Sequence, residues 1–213
     1  MASLVPIAPH TIIRLVAPTD FEGSVPIPSW VPAALQQMPV VVVRRGPQLN
    51  GIPVGVRGPQ RNQRWAGWLK GPINMAQQIS PEQLVTTKAW QMITPNRQQL
   101  PVFQALPAIA SIMSLPWGLG GSAGFELATG QAAVKPTSDL DLIMPAQHPL
   151  TVSAAQQLLQ ALNQFGVHVD VQLVAGQNGF SLEEYAQQRT TTVLLKTAQG
   201  PQLVTNPWQA VKN

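Results

Sequence analysis

The stretch Trp117-Gly118-Leu119-Gly120-Gly121-Ser122-Ala123-Gly124 is followed, further along the chain, by Ser138-Asp139-Leu140-Asp141-Leu142. The first segment is a turn of small residues whose backbone N–H groups can surround phosphate oxygens, and the Ser122 hydroxyl adds a donor. The second segment has the alternation of a β-strand. Because side chains two apart in a strand point to the same face, Asp139 and Asp141 are expected to project together. The two segments predict a phosphate-binding turn followed by a pair of carboxylates.

A third carboxylate lies on a later predicted strand. The chain contains four aspartates, Asp20, Asp139, Asp141 and Asp170, and Asp170 lies within the alternating residues 167–174. A lone Asp in an apolar strand costs free energy without a partner. Adjacent carboxylates repel each other unless a cation neutralises them, and Mg²⁺ is commonly held by one or two carboxylates with substrate phosphates. The sequence therefore predicts Asp139 and Asp141 as Mg²⁺ ligands, with Asp170 completing the catalytic set.

A plainer interpretation is that Asp139 belongs to a turn and Asp141 faces solvent. The glycine-rich segment upstream argues for the metal site instead. A phosphate-binding turn followed by a strand that carries two carboxylates is the arrangement that phosphoryl transfer requires.

The fold class predicted from the local patterns is α+β, in two domains. Residues 1–79 are expected to form a small, mostly β, basic domain, with strands at residues 39–45 and 52–57. Residues 80–213 are expected to form the catalytic domain, and Ser80-Pro81-Glu82 is a helix start. The predicted helices of this domain are 81–93, 103–115, 152–165 and a short one capped by Ser181. Its predicted strands are 125–127, 140–144, 167–174, 192–196 and 202–204.

The charge of the chain is unevenly distributed. Residues 1–88 carry eight Lys or Arg and three Asp or Glu, whereas residues 89–213 carry five and six. This asymmetry indicates two regions with different tasks, although two solvated faces without a partner would give the same pattern. The basic region contains Arg44, Arg45, Arg57, Arg61 and Arg64. We expect these arginines to meet phosphate or an acidic partner.

The composition narrows the class of protein. Of 213 residues, 45% are hydrophobic, which is enough for a buried core. Only 10% are charged. The absence of cysteine excludes disulfides and thiolate metal sites. No apolar run approaches the roughly 18–20 residues of a membrane span, and no secretory signal is visible. Aromatic and basic residues do not interleave repeatedly. We therefore expect a cytoplasmic protein without a membrane or nucleic-acid partner.

The motifs resemble those of known nucleotidyltransferases. Gly-Ser followed by Asp-x-Asp and a later strand Asp is the signature of the polymerase-β-type superfamily, although the 16 residues between Ser122 and Asp139 make a longer spacing than is usual there. The longer pattern resembles a narrower family, the phosphoribosyl-dephospho-CoA transferases of malonate decarboxylase, also called malonate decarboxylase holo-acyl-carrier-protein synthases. Further matching segments are residues 41–45, 54–58, 61–65, 180–182 and 193–197.

This resemblance implies a fold and a reaction. The second domain would be a polymerase-β-type domain with a mixed sheet and flanking helices. The enzyme would transfer phosphoribosyl-dephospho-CoA from triphosphoribosyl-dephospho-CoA to a serine of the malonate decarboxylase acyl carrier protein, with release of pyrophosphate. Asp139 and Asp141 would hold Mg²⁺, and Asp170 would activate or orient the serine hydroxyl. The residues expected to bind phosphate are Gly121, Ser122, Arg57, Arg61, Arg64 and Lys196.

Four other interpretations remain. Residues 120–124 match Gly-x-Ser-x-Gly, the nucleophile elbow of α/β-hydrolases, with an Asp and His168 following in the right order. The same glycines weakly resemble a dinucleotide-binding loop. Both motifs need a helix directly after the turn, and the strand predicted at residues 125–127 argues against them. The remaining alternatives are a nucleotidyltransferase that uses a nucleoside triphosphate and a non-catalytic binding protein of the same fold.

Overall fold

The computed structural model describes residues 7–16, 21–23, 26–47, 51–60, 62–70 and 78–212. Two of the residues discussed above, Asp20 and Arg61, lie outside the described residues. Contacts between Cα atoms divide the chain into two units, Met1–Ser80 and Pro81–Asn213. The first unit combines a sheet with one described helix and the second combines a sheet with several, which confirms the predicted α+β class. Within the described ranges, no helix is both long and apolar enough to cross a bilayer.

The first unit is built on an antiparallel sheet with the strand order β2-β5-β4-β3-β1-β6. Its described elements are β1 (Ile12–Arg14), β2 (Phe21–Glu22), α1 (Trp30–Gln37), β3 (Val40–Val43), β4 (Ile52–Arg57), β5 (Arg64–Leu69) and β6 (Gln78–Ile79). Strands β3 and β4 lie where the sequence predicts them. Helix α1 was not predicted from the sequence. Its Pro32 is tolerated because it lies in the first turn of the helix.

The core of the first unit lies on one face of this sheet. Strand β5 alternates exposed and buried positions, so that Trp65 and Leu69 point to the core and Arg64 points away from it. Valines from β3 and β4 occupy the same layer, and Val31 of α1 is buried against them. On the face that carries Arg64, Ile12 of β1 and Val40 of β3 are buried, so that the exposed part of this face lies at β5.

The second unit is built on a mixed sheet with the strand order β12-β11-β10-β9-β8-β7, in which β8 and β9 are parallel and the other pairs are antiparallel. Its strands are β7 (Gly118–Leu119), β8 (Leu140–Pro145), β9 (Val169–Ala175), β10 (Asn178–Ser181), β11 (Val193–Thr197) and β12 (Gly200–Val204). Its helices are α2 (Pro81–Thr86), α3 (Pro95–Gln98), α4 (Pro101–Ile112), α5 (Gly121–Thr129), α6 (Val152–Asn163), α7 (Leu182–Gln187) and α8 (Pro207–Ala210).

The two faces of this sheet differ sharply. On β8 and β9, the side chains of Leu140, Leu142, Val169 and Val171 are fully buried on one face. Phe180 of β10 shares this face, and aromatic residues of α7 and α8 pack against its ring. The opposite face of β8 and β9 carries the aspartates. Burial of the apolar face therefore holds the strands in place, and the candidate catalytic aspartates lie on the opposite face.

The predicted strand at residues 125–127 is wrong, because these residues lie within helix α5. The segment Phe125-Glu126-Leu127 alternates like a strand, but Glu126 is buried by charged and polar partners from elsewhere in the chain. A C-terminal helix signal was present in the sequence: Gly130 follows the helix with φ +76°.

The remaining predicted helices and strands of the second unit lie close to where the sequence places them, whereas α3, β7, β10 and α8 were not predicted. The helix predicted from Ser80-Pro81 begins there, but α2 ends at Thr86 and a 3-10 helix covers Ala89–Met92. Helix α7 is capped as predicted, because the Ser181 hydroxyl accepts a hydrogen bond from the Glu184 backbone N–H at 3.4 Å.

Candidate active site

The parallel pairing of β8 and β9 places two of the predicted carboxylates side by side. Asp141 and Asp170 are register partners, so both side chains project from the same face of the sheet, and both are half-buried. Asp139 lies just before β8 and is exposed. The structure thus brings Asp141 and Asp170 together through the sheet, and Asp139 reaches the same region from the segment that enters β8.

The electrostatics of Asp141 reflect this crowding. The pKa of Asp141 is raised from its ordinary value of 3.8 to about 6, first by burial and then by the negative charges of Asp170 and Asp139. The positive charge of Lys196 acts in the opposite direction and lowers this pKa. Lys196 lies on β11, and the register through Gly179 places it on the same face as Asp170. The site therefore carries more negative than positive charge.

The glycine turn approaches the same carboxylate. The Gly120 backbone N–H donates to the Asp141 backbone carbonyl at 3.0 Å. Gly121 has φ +57°, and a Cβ on it would lie 1.7 Å from Asp141 Oδ2. Only glycine satisfies both conditions, the left-handed backbone and the missing side chain. Ser122 is the second residue of α5 and is half-buried, so the predicted phosphate-binding turn lies against the carboxylate pair.

Two further glycines let the surrounding elements approach closely. A Cβ on Gly118 would lie 2.5 Å from the backbone carbon of Pro81, and a Cβ on Gly124 would lie 2.5 Å from the Leu119 carbonyl oxygen. The glycine cluster therefore serves packing, a role that the sequence pattern, which predicted only phosphate binding, did not indicate.

A buried ion pair holds α5 in place. Arg97 Nε and Nη2 donate to the two carboxylate oxygens of Glu126, each at 2.7 Å, and Glu126 is only 3% exposed. The same carboxylate accepts hydrogen bonds from the backbone N–H groups of Ala133 at 2.7 Å and Val134 at 2.8 Å. Arg97 also donates to the Val134 carbonyl at 2.7 Å. This network ties α5 to the segment that leads into Asp139.

The charge on Glu126 is stabilised by these partners. Burial alone raises the pKa of Glu126, but the hydrogen bonds from Arg97, Ala133 and Val134, with the positive charge of Arg97, outweigh burial and lower the pKa. Glu126 was not predicted as a functional residue. The available signal was a single acidic residue in an apolar segment of a chain with few charges.

The donor set suits a hard cation that also binds substrate. Among the described residues, no group of three or more His, Cys, Asp or Glu side chains is arranged to hold a metal ion by itself. Mg²⁺ does not need such a group, since one or two carboxylates and substrate phosphates are its usual ligands. Asp139 and Asp141 provide two carboxylates, and the pKa of Asp141 is raised by burial and by the neighbouring charges of Asp170 and Asp139.

The structure also bears on the hydrolase interpretation. A helix does follow the Gly-x-Ser-x-Gly segment, so the reason given above for setting aside the elbow and the dinucleotide loop is wrong. However, positive φ belongs to Gly121 and not to Ser122, whereas the elbow places the serine itself at the strained turn. The proposed base, His168, lies 3.6 Å from Glu183 of α7. These features do not assemble a serine nucleophile with its base.

The predicted arginines lie in the first unit. Arg57 of β4 and Arg64 of β5 are directly opposite each other in the antiparallel ladder. Arg61, the third predicted arginine, is outside the described residues.

Comparison with known proteins gives a consistent result over both units. The family model described as "Phosphoribosyl-dephospho-CoA transferase MdcG C-terminal domain" matches residues 84–207, and the model of the corresponding N-terminal domain matches residues 8–81. A phosphoribosyl-dephospho-CoA transferase from Pseudomonas syringae pv. tomato is 38% identical, over 91% of this chain and 94% of its own. One from Pseudomonas aeruginosa is 36% identical over 94% and 93%, and one from Klebsiella pneumoniae is 36% identical over 80% and 82%. No solved structure matches.

Gly121→Ala is expected to destabilise the protein strongly, because the new methyl group would overlap the Asp141 carboxylate. Gly130→Ala is the matched control: Gly130 also has positive φ, but nothing lies within 4 Å of its added Cβ. The free energy of unfolding of the control should fall by about 1–2 kcal/mol, which is the cost of a left-handed conformation for alanine. Urea unfolding of the two variants measures the difference. Equal losses would show that the contact with Asp141 is unimportant.

Asp141→Asn is expected to stabilise the metal-free protein at pH 7–8, by about 1–3 kcal/mol for a shift of roughly two pKa units. The sign follows from proton binding: between pH 4 and pH 6 the folded state binds the Asp141 proton more tightly than the unfolded state, so stability falls as pH rises through this window. Thermal unfolding in EDTA at pH 4 and pH 8 is the measurement. The stabilising effect should be present at pH 8 and absent at pH 4.

Glu126→Gln is expected to loosen the segment before Asp139, because an amide presents its NH₂ to donors on Arg97 or on the backbone. Breaking one side of a buried ion pair typically costs about 3–5 kcal/mol. Hydrogen exchange at the Ala133 and Val134 amides should accelerate. Glu183→Gln, at a partly exposed pair with His168, is the control and should leave both amides protected. Unchanged exchange in Glu126→Gln would contradict the positioning role.

Proposed function

Since the chain belongs to the phosphoribosyl-dephospho-CoA transferase family, we propose that it attaches phosphoribosyl-dephospho-CoA to a serine of the malonate decarboxylase acyl carrier protein. The donor is triphosphoribosyl-dephospho-CoA, and pyrophosphate is released. The observation that carries this proposal is the position of Gly121 against the Asp141 carboxylate, beside Asp170. A phosphate-binding turn and a carboxylate pair then meet at one point, as phosphoryl transfer requires.

Each group at this point has a role in the proposal. Asp139 and Asp141 hold Mg²⁺, which would neutralise charge on the triphosphate and on the departing pyrophosphate. The backbone N–H groups at the start of α5, with the Ser122 hydroxyl, bind phosphate oxygens. Lys196 supplies a positive charge on the same face of the sheet.

The transfer is a displacement at phosphorus. The carrier serine oxygen attacks the α-phosphorus of the donor, and a phosphodiester bond forms. The bond from the α-phosphorus to the bridging oxygen breaks, and pyrophosphate leaves with the electron pair. Asp170, next to Asp141, orients the hydroxyl and accepts its proton. The distant CoA portion contributes binding energy that positions the reacting centre.

The test supplies three donors separately, each with Mg²⁺ and the carrier, and weighs the intact carrier afterwards. Triphosphoribosyl-dephospho-CoA should give carrier modified by phosphoribosyl-dephospho-CoA, with an equal amount of pyrophosphate. ATP and CoA should give little or no modification. A mass gain of AMP at a comparable rate would assign the chain to nucleotidyltransferases that use a nucleoside triphosphate. A gain of phosphopantetheine would overturn the proposed reaction.

Variants of the carboxylates test the site within the same assay. Asp139→Asn and Asp141→Asn should each lower transfer by on the order of 100-fold or more, since charge stabilisation supplies most of the rate in phosphoryl transfer. Asp170→Asn should be severely impaired. Glu183→Gln is the control and should retain normal transfer. Normal turnover by Asp141→Asn in Mg²⁺ would exclude Asp141 as a ligand.

A further inference from the structure

The described residues between helix α5 and strand β8 form an irregular segment that is held at a buried point, Val134. The Val134 backbone N–H donates to Glu126 Oε2 at 2.8 Å. The Val134 carbonyl accepts a hydrogen bond from Arg97 Nη2 at 2.7 Å. Both backbone polar groups of this buried residue are therefore satisfied by one ion pair, as buried backbone groups require.

A tight turn follows directly and ends at the residue before Asp139. The Ser138 backbone N–H donates to the Lys135 carbonyl at 3.0 Å, which closes a four-residue β-turn. The Ser138 hydroxyl accepts a hydrogen bond from the Lys135 backbone N–H at 2.9 Å, so the side chain closes the same turn a second time. Pro136 restricts the backbone at the second position of the turn. Since Lys135 is the next residue after Val134, the turn is joined to the buried point without an intervening residue.

Asp139 lies between this turn and strand β8. On the strand side, the Leu140 backbone N–H donates to the His168 carbonyl at 2.9 Å, and the Leu140 side chain is fully buried. Asp139 itself is exposed, so burial in the core does not hold its side chain. The turn and the strand therefore determine where its carboxylate lies. This precision matters, because a misplacement of about 1 Å can lower a reaction rate by roughly 100-fold.

Helix α5 connects this segment to the predicted phosphate-binding turn. Gly121 and Ser122 are the first residues of α5, and Glu126 lies about one turn further along the same helix. One helix thus carries the phosphate-binding turn at its start and the anchor of the segment before Asp139 in its middle. A buried ion pair is weak evidence for stability, since apolar residues of similar volume often stabilise a protein as well. Its directed hydrogen bonds, however, hold the groups that they join at defined positions.

We propose that Ser138 is a positioning residue that holds the proposed metal ligand Asp139 at a defined place relative to the phosphate-binding turn. The buried pair of Arg97 and Glu126 is the anchor of this arrangement. Mg²⁺ commonly binds one or two carboxylates together with substrate phosphates, so the two must lie at matching positions. This inference rests on the proposed function and deepens it, because it names the residues that place the metal ligand. The hydroxyl of Ser138 acts on the reaction only through Asp139.

The test uses three single substitutions in or next to the turn. Ser138→Ala removes the hydroxyl that closes the turn, and Ser138→Thr keeps a hydroxyl there. Thr137→Ala is the matched control, since Thr137 is an exposed residue of the same turn. Hydrogen exchange at the Lys135 amide of the metal-free protein reports on the turn. Mn²⁺ binding, followed by electron paramagnetic resonance, and transfer over a range of Mg²⁺ concentrations report on Asp139.

In Ser138→Ala, the Lys135 amide should exchange about fivefold faster, because it loses one hydrogen bond. The variant should bind Mn²⁺ about tenfold more weakly and need about tenfold more Mg²⁺ for half-maximal transfer, as is typical when a residue that orients a metal ligand is removed. The donor KM at saturating Mg²⁺ should change by less than about twofold. Ser138→Thr and Thr137→Ala should remain within about twofold of the wild type in every measurement.

Faster exchange in Ser138→Ala together with a wild-type Mn²⁺ affinity and Mg²⁺ requirement would overturn the positioning role, because the turn would then have no effect on Asp139. Unchanged exchange at the Lys135 amide would overturn it as well. Transfer by the wild-type protein decides the proposed function separately. If the wild type does not modify the carrier but Ser138→Ala still weakens Mn²⁺ binding, the proposed function fails and the positioning role stands.

Discussion

The parallel pairing of β8 with β9 sets Asp141 beside Asp170, and the second unit is organised around the charge that this pairing concentrates. The register is fixed from the other side of the sheet. Leu140 and Val169 are fully buried there, and a shift by one residue would expose them and bury the aspartates. The apolar core therefore determines where the carboxylates lie, because the strand register that buries the leucines and valines also pairs the aspartates. Hydrophobic burial offsets the repulsion that the site itself introduces.

Two acidic residues in this unit show opposite outcomes of burial. Glu126 is almost fully buried, yet Arg97 and two backbone N–H groups stabilise its charge and lower its pKa. Asp141 is partly buried next to two like charges, and its pKa is raised. The fold thus stabilises the charge on Glu126 and disfavours the charge on Asp141. A carboxylate whose pKa is perturbed by burial and by neighbouring charges is a candidate for a functional site.

The sequence predicted the carboxylate strand well because Asp139, Asp141 and the leucines between and after them follow the period of two. It could not predict the register of Asp141 with Asp170, which depends on which strands become neighbours. The prediction of a strand at residues 125–127 was wrong for a related reason: the side chain of Glu126 pairs with Arg97, which is 29 residues away in the chain. The need for glycine at position 121 likewise comes from Asp141, which only the folded chain brings into contact. Local patterns determined the elements, and long-range contacts determined the site.

In the first unit, the burial of apolar side chains also brings like charges together, but these charges are positive. Its core face needs Val56 and Trp65, and the alternation then places Arg57 and Arg64 on the open face, where they repel each other across the ladder. Neither pair of like charges helps the sheet that carries it. Cross-strand carboxylates in one unit and cross-strand guanidinium groups in the other both set like charges side by side. In both units the burial of apolar side chains on the opposite face fixes the register that brings these charges together.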